Sequence, residues 1–368
     1  MMNRSNQKGG DGSTNIQAEN LIIQTGIDEK RAREIYQEMN LQLRAFYTED
    51  ALTIAKQRVA EFEDRLMPKM EKVEGALAAF ADPGFQLLLV DAQKAAAATE
   101  RPQDYDLLSE LLIHRFQKGK NRETRAGITL AVEVVDKISD ESLLSLTVAH
   151  AVNNFAPLSG EINQGLDVLN NLFGKLLYGE LPSSQDWLDH LDILDCVRLD
   201  SLHRLKKVHE YYPEILSGYV DVGINKKSAN YAAALDVLKT NNLPPSLLVD
   251  HALNPSFQRI PVINRNKINT IPLIKVFNYG GQSISVPAAM AEGQLVAINA
   301  VYDLYDQDGG VKQNNIDLFM GEWDKRPHLK TLRTWWDSLA FSFKITSVGK
   351  VLAHANAQRC DNTLPPLN

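Results

Sequence analysis

The residues best placed for chemistry lie in "DWLDHLDILDCVRLDSLHRLKKVHE", residues 186–210. Read as one helix at 100° per residue, Asp189, Asp192, Cys196, Asp200 and His203 fall within an arc of about 80°. Carboxylates and an imidazole on one face suit a divalent cation, and through it metal-dependent hydrolysis. The plainer reading is a solvated acidic face neutralised by Lys206 and Lys207.

Other routes to catalysis are closed at the level of motif. The chain has no GxxxxGK[ST], GxGxxG, HExxH or GxSxG, and its two cysteines, Cys196 and Cys360, cannot form a CxxC pair. "DLYDQDGGVKQNN" (303–315) approaches a calcium loop, but Leu304 and Asn315 stand where the EF-hand needs Asp and Glu. It reads as an acidic helix end and a turn. "DAQK" (91–94) after "DP" (82–83) lacks the acidic residue a nuclease pattern requires at Gln93. No cofactor is expected.

Two segments concentrate positive charge. Residues 114–125 carry Arg115, Lys118, Lys120, Arg122 and Arg125 against Glu123. Residues 324–360 hold seven cations, Lys330 and Arg333 among them, against two carboxylates, a local charge of +5. Trp335 and Trp336 sit among these cations, an arrangement that supports stacking on bases. Nucleic-acid binding is therefore one alternative, and a solvated helix with its tryptophans in the core is the other.

The bulk of the chain bounds these readings. With 368 residues, 44% apolar and 23% charged, it has the balance of a globular protein of two or three domains. A net charge of −7 argues against a surface that is basic all over. No apolar run reaches the length of a membrane span, and the start lacks a signal-peptide core. Two distant cysteines argue against a disulfide framework. These features predict a soluble, cytoplasmic protein with no membrane partner.

The fold class expected is mainly α: a multi-helix array with a disordered N-terminal head, a long kinked amphipathic helix and a minor C-terminal β-hairpin. Asp28 is placed to cap a first helix bearing Ile35, Met39, Leu43 and Phe46. Leu52, Ala55, Val59, Phe62, Leu66, Met70, Val73 and Leu77 then step by 3, 4, 3, 4, 4, 3, 4, close to a heptad repeat. Either a coiled-coil oligomerisation arm or a helix packed within its own domain satisfies that stripe. Pro68 should kink it. Asp82-Pro83 reads as an N-cap with proline at the first helical position. Helices are predicted near 83–99, 104–118, 122–138, 140–154, 160–178 and 184–210.

After "NNLPPS" (241–246) the texture turns to Pro, Asn and Ile. "PLIKVFN" and "QSISV", joined through Tyr279-Gly280-Gly281, predict a hairpin, with Pro287 opening the next helix. Thr346 or Ser347 should cap the last one. The domain reading is 1–27 head, 28–80 amphipathic helices, 81–245 central helical domain and 246–368 C-terminal helical domain with a minor β element.

The head divides by composition. Residues 1–15 are polar and glycine-rich and predict disorder. Residues 16–26, "IQAENLIIQTG", mix β-branched and amide side chains with one charge, Glu19. That is the composition of segments that stack as cross-β, which makes Ile16, Gln17, Ile22, Ile23 and Gln24 the candidates for self-association; the plainer reading is a short strand or a disordered leader that staples the first helix. Ile23-Gln24-Thr25-Gly26 resembles the Ile-Gln-x-Gly core of short signalling amyloids of the necroptosis type. The head "GGDGSTNIQAEN", the stretch "FADPGFQLLLVDAQKAAAATERPQDYDLLSELLIHR" (80–115) and the closing "ITSVGKVLAHANAQR" together resemble a family of uncharacterised bacterial proteins. The "NxQA" head is similar to heads on some bacterial antiviral effectors, with Glu19 where that pattern carries glycine. The resemblance implies a setting in bacterial conflict or stress and assigns no catalytic residue. The expectation is a non-enzymatic interaction protein, homo-oligomeric or bound to a protein partner.

Overall fold

The computed structural model describes residues 27–40, 48–118, 121–200, 202–271, 273–279 and 282–367. The head candidates Ile16, Gln17, Ile22, Ile23 and Gln24, and Lys120, lie outside them.

Local capping chemistry sets most helix starts. Asp28 Oδ1 accepts from Arg31 N at 2.8 Å ahead of α1 (Glu29–Asn40). Asp82 caps α3 (Pro83–Ala98), accepting from Phe85 N at 2.7 Å, with Pro83 in the first turn where its missing N–H costs nothing. Asn121 caps α5 (Arg122–Val134), Ser139 caps α6 (Asp140–Asn154) and Glu161 caps α7 (Ile162–Leu176). Between α3 and α5 runs α4 (Pro102–Lys118).

The heptad-like stripe lies on α2 (Glu49–Lys72), which runs on past Pro68. Ala55, Val59, Phe62, Leu66 and Met70 are all buried within the chain's own core, where α2 packs on α3 and α4. Each side chain of that size stabilises the fold by about 1.5–3 kcal/mol on burial. The stripe is therefore spent inside the protein and leaves no seam for a coiled-coil arm. Tyr36 of α1 locks the layer by donating its hydroxyl to Val59 O at 2.7 Å.

The expected helix over 184–210 is corrected. Helix α8 (Asp186–Ile193) stops after eight residues, and Asp195 takes a left-handed conformation with φ 58°. The chain then enters strand β1 (Val197–Asp200). Its partner is β7 (Ser342–Ile345), antiparallel from Val197↔Ile345 to Asp200↔Ser342. A pairing partner almost 150 positions away carries no local signal. The alternation in Val197-Arg198-Leu199-Asp200 is the one trace of it in the sequence. After β1 come α9 (Val208–Ile215) and α10 (Ser217–Val220).

From Ile224 to Tyr305 the chain builds a second hydrophobic cluster. It contains β2 (Ile224–Asn225), α11 (Ala229–Thr240), β3 (Val249–Asp250) and β4 (Phe257–Arg259), the three strands ordered β2-β4-β3. The hairpin follows, β5 (Leu273–Tyr279) with β6 (Gln282–Ala288), in the register Tyr279↔Gln282. Pro287 does not open a helix; it pairs with Ile274 in β6, and α12 starts at Glu292 and runs to Asp303. The compositional change at residues 241–246 falls inside this cluster, since Leu238, Leu243 and Leu247 all belong to it.

The chain then returns to the first cluster with α13 (Gly309–Asp324), α14 (Pro327–Ser338), β7 and α15 (Ser347–Cys360). Thr346 is the cap of α15, accepting from Gly349 N at 3.2 Å. Helix α15 is buried against α4, α5 and α6, which explains its apolar and small residues on every face.

Candidate functional site

Helix α14 is seated along α7 by polar contacts at its start. Arg326 Nε donates to Asp167 Oδ1 at 2.7 Å, and His328 N donates to Asn170 Oδ1 at 3.2 Å. Gly174 permits the approach, because a Cβ there would lie 2.9 Å from His328 Cδ2. Beyond α7 the loop Leu177–Ser183 passes beside α14. Loop and helix enclose an open groove of about 820 Å³.

The sequence of α14 sorts its faces. Leu329, Leu332 and Trp336 turn into the core, while Lys330, Thr331, Thr334 and Ser338 face outward along the groove. Trp335 lies between, only 6% exposed, its ring 5.6 Å from that of Trp187. Among the described residues neither the Trp335 indole N–H nor that of Trp187 has a hydrogen-bond partner, and both are closed off from solvent. Lys330 is exposed and makes no ion pair among the described residues. The titratable groups on the groove are Glu180, His328 and Lys330. Leu177, Leu181 and Pro182 supply an apolar wall. The arrangement offers a hydrophobic surface, hydroxyls and one cation without an ion pair among the described residues. It is equipped to hold an extended segment with carbonyl oxygens and an acidic group.

A second hollow of about 520 Å³ lies across the loop and shares Gly179 and Glu180. There the Arg359 guanidinium stands 5.1 Å from the Tyr178 ring, and Asn356 Nδ2 donates to Tyr178 Oη at 3.1 Å.

The metal candidates are not brought together. Asp189 and Asp192 lie on α8, whereas Asp200 closes β1 and His203 follows it, so the four share no helix face. Asp192 is 3.9 Å from Arg198 Nη1. Asp200 Oδ2 and His203 Nδ1 are 2.8 Å apart at the surface, and His203 holds the Asp200 carboxyl below its ordinary range. Among the described residues no group of three His, Cys, Asp or Glu is placed to hold a metal ion. Cys196 is buried, which pushes its thiol up to about 12 and keeps it protonated.

The basic segments are neutralised in part, through Arg115, Lys325, Arg326 and Arg333. Arg115 is 3.5 Å from Asp82, and Lys118 is half-buried, while Arg122 and Arg125 are exposed. Arg333 pairs with Asp324 at 2.6 Å and Asp337 at 3.6 Å, and Lys325 with Glu322 at 2.6 Å. Trp335 and Trp336 are packed in the core, so neither presents a ring face on which bases could stack.

Sequence reading found Lys330 and Trp335 and assigned them to nucleic acid. It missed the loop Leu177–Ser183 and the hydroxyl row Thr331, Thr334 and Ser338. The spacing of that row on one helix face was the available signal.

Fold and site together define a mainly helical protein with an open groove beside α14. A model of an uncharacterised protein family matches residues 26–292, and the chain belongs to that family. The match starts at Gly26, so the "NxQA" head lies outside it. No curated protein and no solved structure matches the chain. No described helix is long and apolar enough to cross a membrane.

Proposed function

We propose that this is a non-enzymatic interaction protein that associates with its own copies through the groove between α14 and the loop Leu177–Ser183. One observation carries the reading: the groove sets an apolar wall of Leu177, Leu181 and Pro182 beside Lys330, which is exposed and makes no ion pair among the described residues. The segment 16–26 has the complementary chemistry. It carries apolar Ile16, Ile22 and Ile23, the amides of Gln17 and Gln24, and Glu19 as its single charge. Donated from one copy to the groove of the next, it makes a head-to-tail contact that extends rather than closes. A role in bacterial antiviral defence belongs to this proposal and rests on the resemblance of the head alone.

Light scattering tests it on three chains: the full protein, a deletion of residues 1–27, and Lys330→Glu. The reading expects assemblies of the full chain and a protomer mass for both variants. A full chain with the mass of one protomer, or assemblies that survive both changes, removes it.

A second reading is nucleic-acid binding at the corner of α4 and α5. It is supported by Arg122 and Arg125, both exposed. It requires affinity that falls steeply with salt, because phosphate contacts release counterions. No binding at low salt eliminates it.

A further inference from the structure

The chain first leaves the first cluster for the second through Asp221–Asn225 and finally returns through Tyr305–Gly309, with Ile263 between them still packed in the first. The crossings are joined by Asp306 N donating to Gly223 O at 2.8 Å and Asn225 N donating to Asp306 Oδ2 at 3.3 Å. Beside them is a polar cavity of about 210 Å³. Asp221, Arg265, Tyr302, Tyr305, Asp306 and Lys312 line it, with the first turn of α13 at one end.

Several of these groups are already committed. Asp308 caps α13 through Gly310 N at 2.8 Å and Val311 N at 3.0 Å, which occupies that helix start. Asp306 accepts from Asn225, and Tyr305 Oη accepts from Ile260 N at 2.6 Å. Arg265 spends Nε and Nη2 on Asn299 and Asp303.

Four groups remain under-used. Tyr302 is 6% exposed, and among the described residues its hydroxyl meets no partner in good hydrogen-bond geometry, the Tyr305 side chain being its one polar neighbour of note. Its ring is held in place, 4.5 Å from Tyr305 and under the Arg265 guanidinium at 5.6 Å. The Asp221 side chain has one polar partner, Lys312 Nζ at 3.3 Å, and burial raises its carboxyl against the pull of that lysine. Lys312 has donors to spare, and Arg265 Nη1 makes no hydrogen bond among the described residues. A buried hydroxyl without a partner is rare in a native interior. Tyr302 borders a cavity that holds both signs of charge.

The lining holds three carboxylates, of which Asp306 and Asp308 accept backbone N–H groups; the Asp221 carboxylate, two cations and a hydroxyl are left to complement a molecule that carries one charge of each sign. At about 30 Å³ per water the space equals roughly seven waters, room for one small molecule. A zwitterion also enters at lower desolvation cost than a bare ion, because its charges are paired by the site. We propose that this cavity binds a small zwitterion of the amino-acid class, with its ammonium group on Asp221, its carboxylate on Lys312 and Arg265, and Tyr302 Oη completing the hydrogen bonds. Bound there, the ligand ties residues of both crossings and stiffens the junction between the clusters.

Thermal unfolding of the full chain tests this with each proteinogenic amino acid at millimolar concentration. The controls are the amide and the N-acetyl derivative of any amino acid that binds, and a neutral hexose. At least one free amino acid should raise the melting temperature by about 2 °C or more. Its two blocked forms and the hexose should not. Tyr302→Phe should weaken binding about tenfold, the loss of one hydrogen bond in a buried site. Asp221→Asn should abolish it. The proposal is overturned if no amino acid shifts the transition, if a blocked form or the hexose shifts it equally, or if Tyr302→Phe binds as well as the native chain. Should Asp221→Asn fail to fold, calorimetric titration of the native chain with the free and blocked amino acids decides alone. Binding of the free form only supports the site, and any other result rejects it.

Discussion

His150 Nε2 lies 3.2 Å from His354 Nδ1, and the two rings meet nearly edge to face at 86°. The pair sets one proton order in the core. Pro365 O only accepts, so His354 carries its proton on Nε2, 2.9 Å from that carbonyl. His354 Nδ1 is then an acceptor for His150 Nε2–H, and His150 Nδ1 accepts from Asn154 Nδ2 at 3.1 Å. The chain of bonds joins α6, α15 and the C-terminal tail, with both imidazoles neutral.

That neutrality gives acid sensitivity. Burial, with the neighbouring imidazole and Lys350, lowers His150 to about 3, and burial lowers His354 to about 4. Both lie below the ordinary value near 6.5. Between those values the unfolded chain binds more protons than the folded one, so stability is complete above pH 6.5 and falls as the pH drops towards 4. Each histidine contributes a slope of about 1.4 kcal/mol per pH unit in that window. Urea unfolding at pH 7.5 and 5 should show the loss, and His354→Gln should remove that residue's share, while His114 and His251, also lowered by burial, keep theirs. An unchanged slope in His354→Gln would show that other groups carry the acid sensitivity.

Arg259 is 2% exposed and has no carboxylate partner. Its guanidinium donates to Gly218 O at 2.8 Å, to Ile260 O and Val262 O at 3.2 Å, and to Gly160 O. It thus pins the second cluster to the loop before α7. Arg259→Met strands four carbonyls and should cost about 3 kcal/mol or more, read from chemical denaturation. Arg259→Lys should rescue little, since an ammonium cannot reproduce the planar fork.

Leu66 is fully buried on the α2 stripe. Leu66→Ala should cost about 2–5 kcal/mol as a core cavity, with no change in mass by light scattering under native conditions. A fall in assembly size at unchanged stability would restore the oligomerisation arm.

Two glycines give opposite tests. A Cβ on Gly349 would sit 2.0 Å from Cys196 O, where α15 closes on the start of β1. Gly349→Ala should therefore destabilise by about 3 kcal/mol. Gly321, inside α13, has nothing within 4 Å of such a Cβ. Gly321→Ala should stabilise by about 0.5–1 kcal/mol. Melting temperatures moving in opposite directions check both.

What the sequence determined by itself was the set of local decisions. The caps at Asp28, Asp82 and Thr346 act over three or four residues, and the stripe through Val59, Phe62 and Leu66 marks one helix face. The hairpin from Leu273 to Ala288 closes over a short turn. Such features need no knowledge of what lies across the core. The tertiary structure decided the rest. Whether the α2 stripe faces a second copy or α3 and α4 depends on surfaces far along the chain. The end of α8 and the birth of β1 depend on β7, and a helical reading of Asp189–His203 was plausible without it. The groove under Lys330 exists because α14 packs on α7, and the polar cavity exists because the chain's first departure to the second cluster and its final return meet. Both are products of long-range closure, which the pattern of neighbouring residues does not encode.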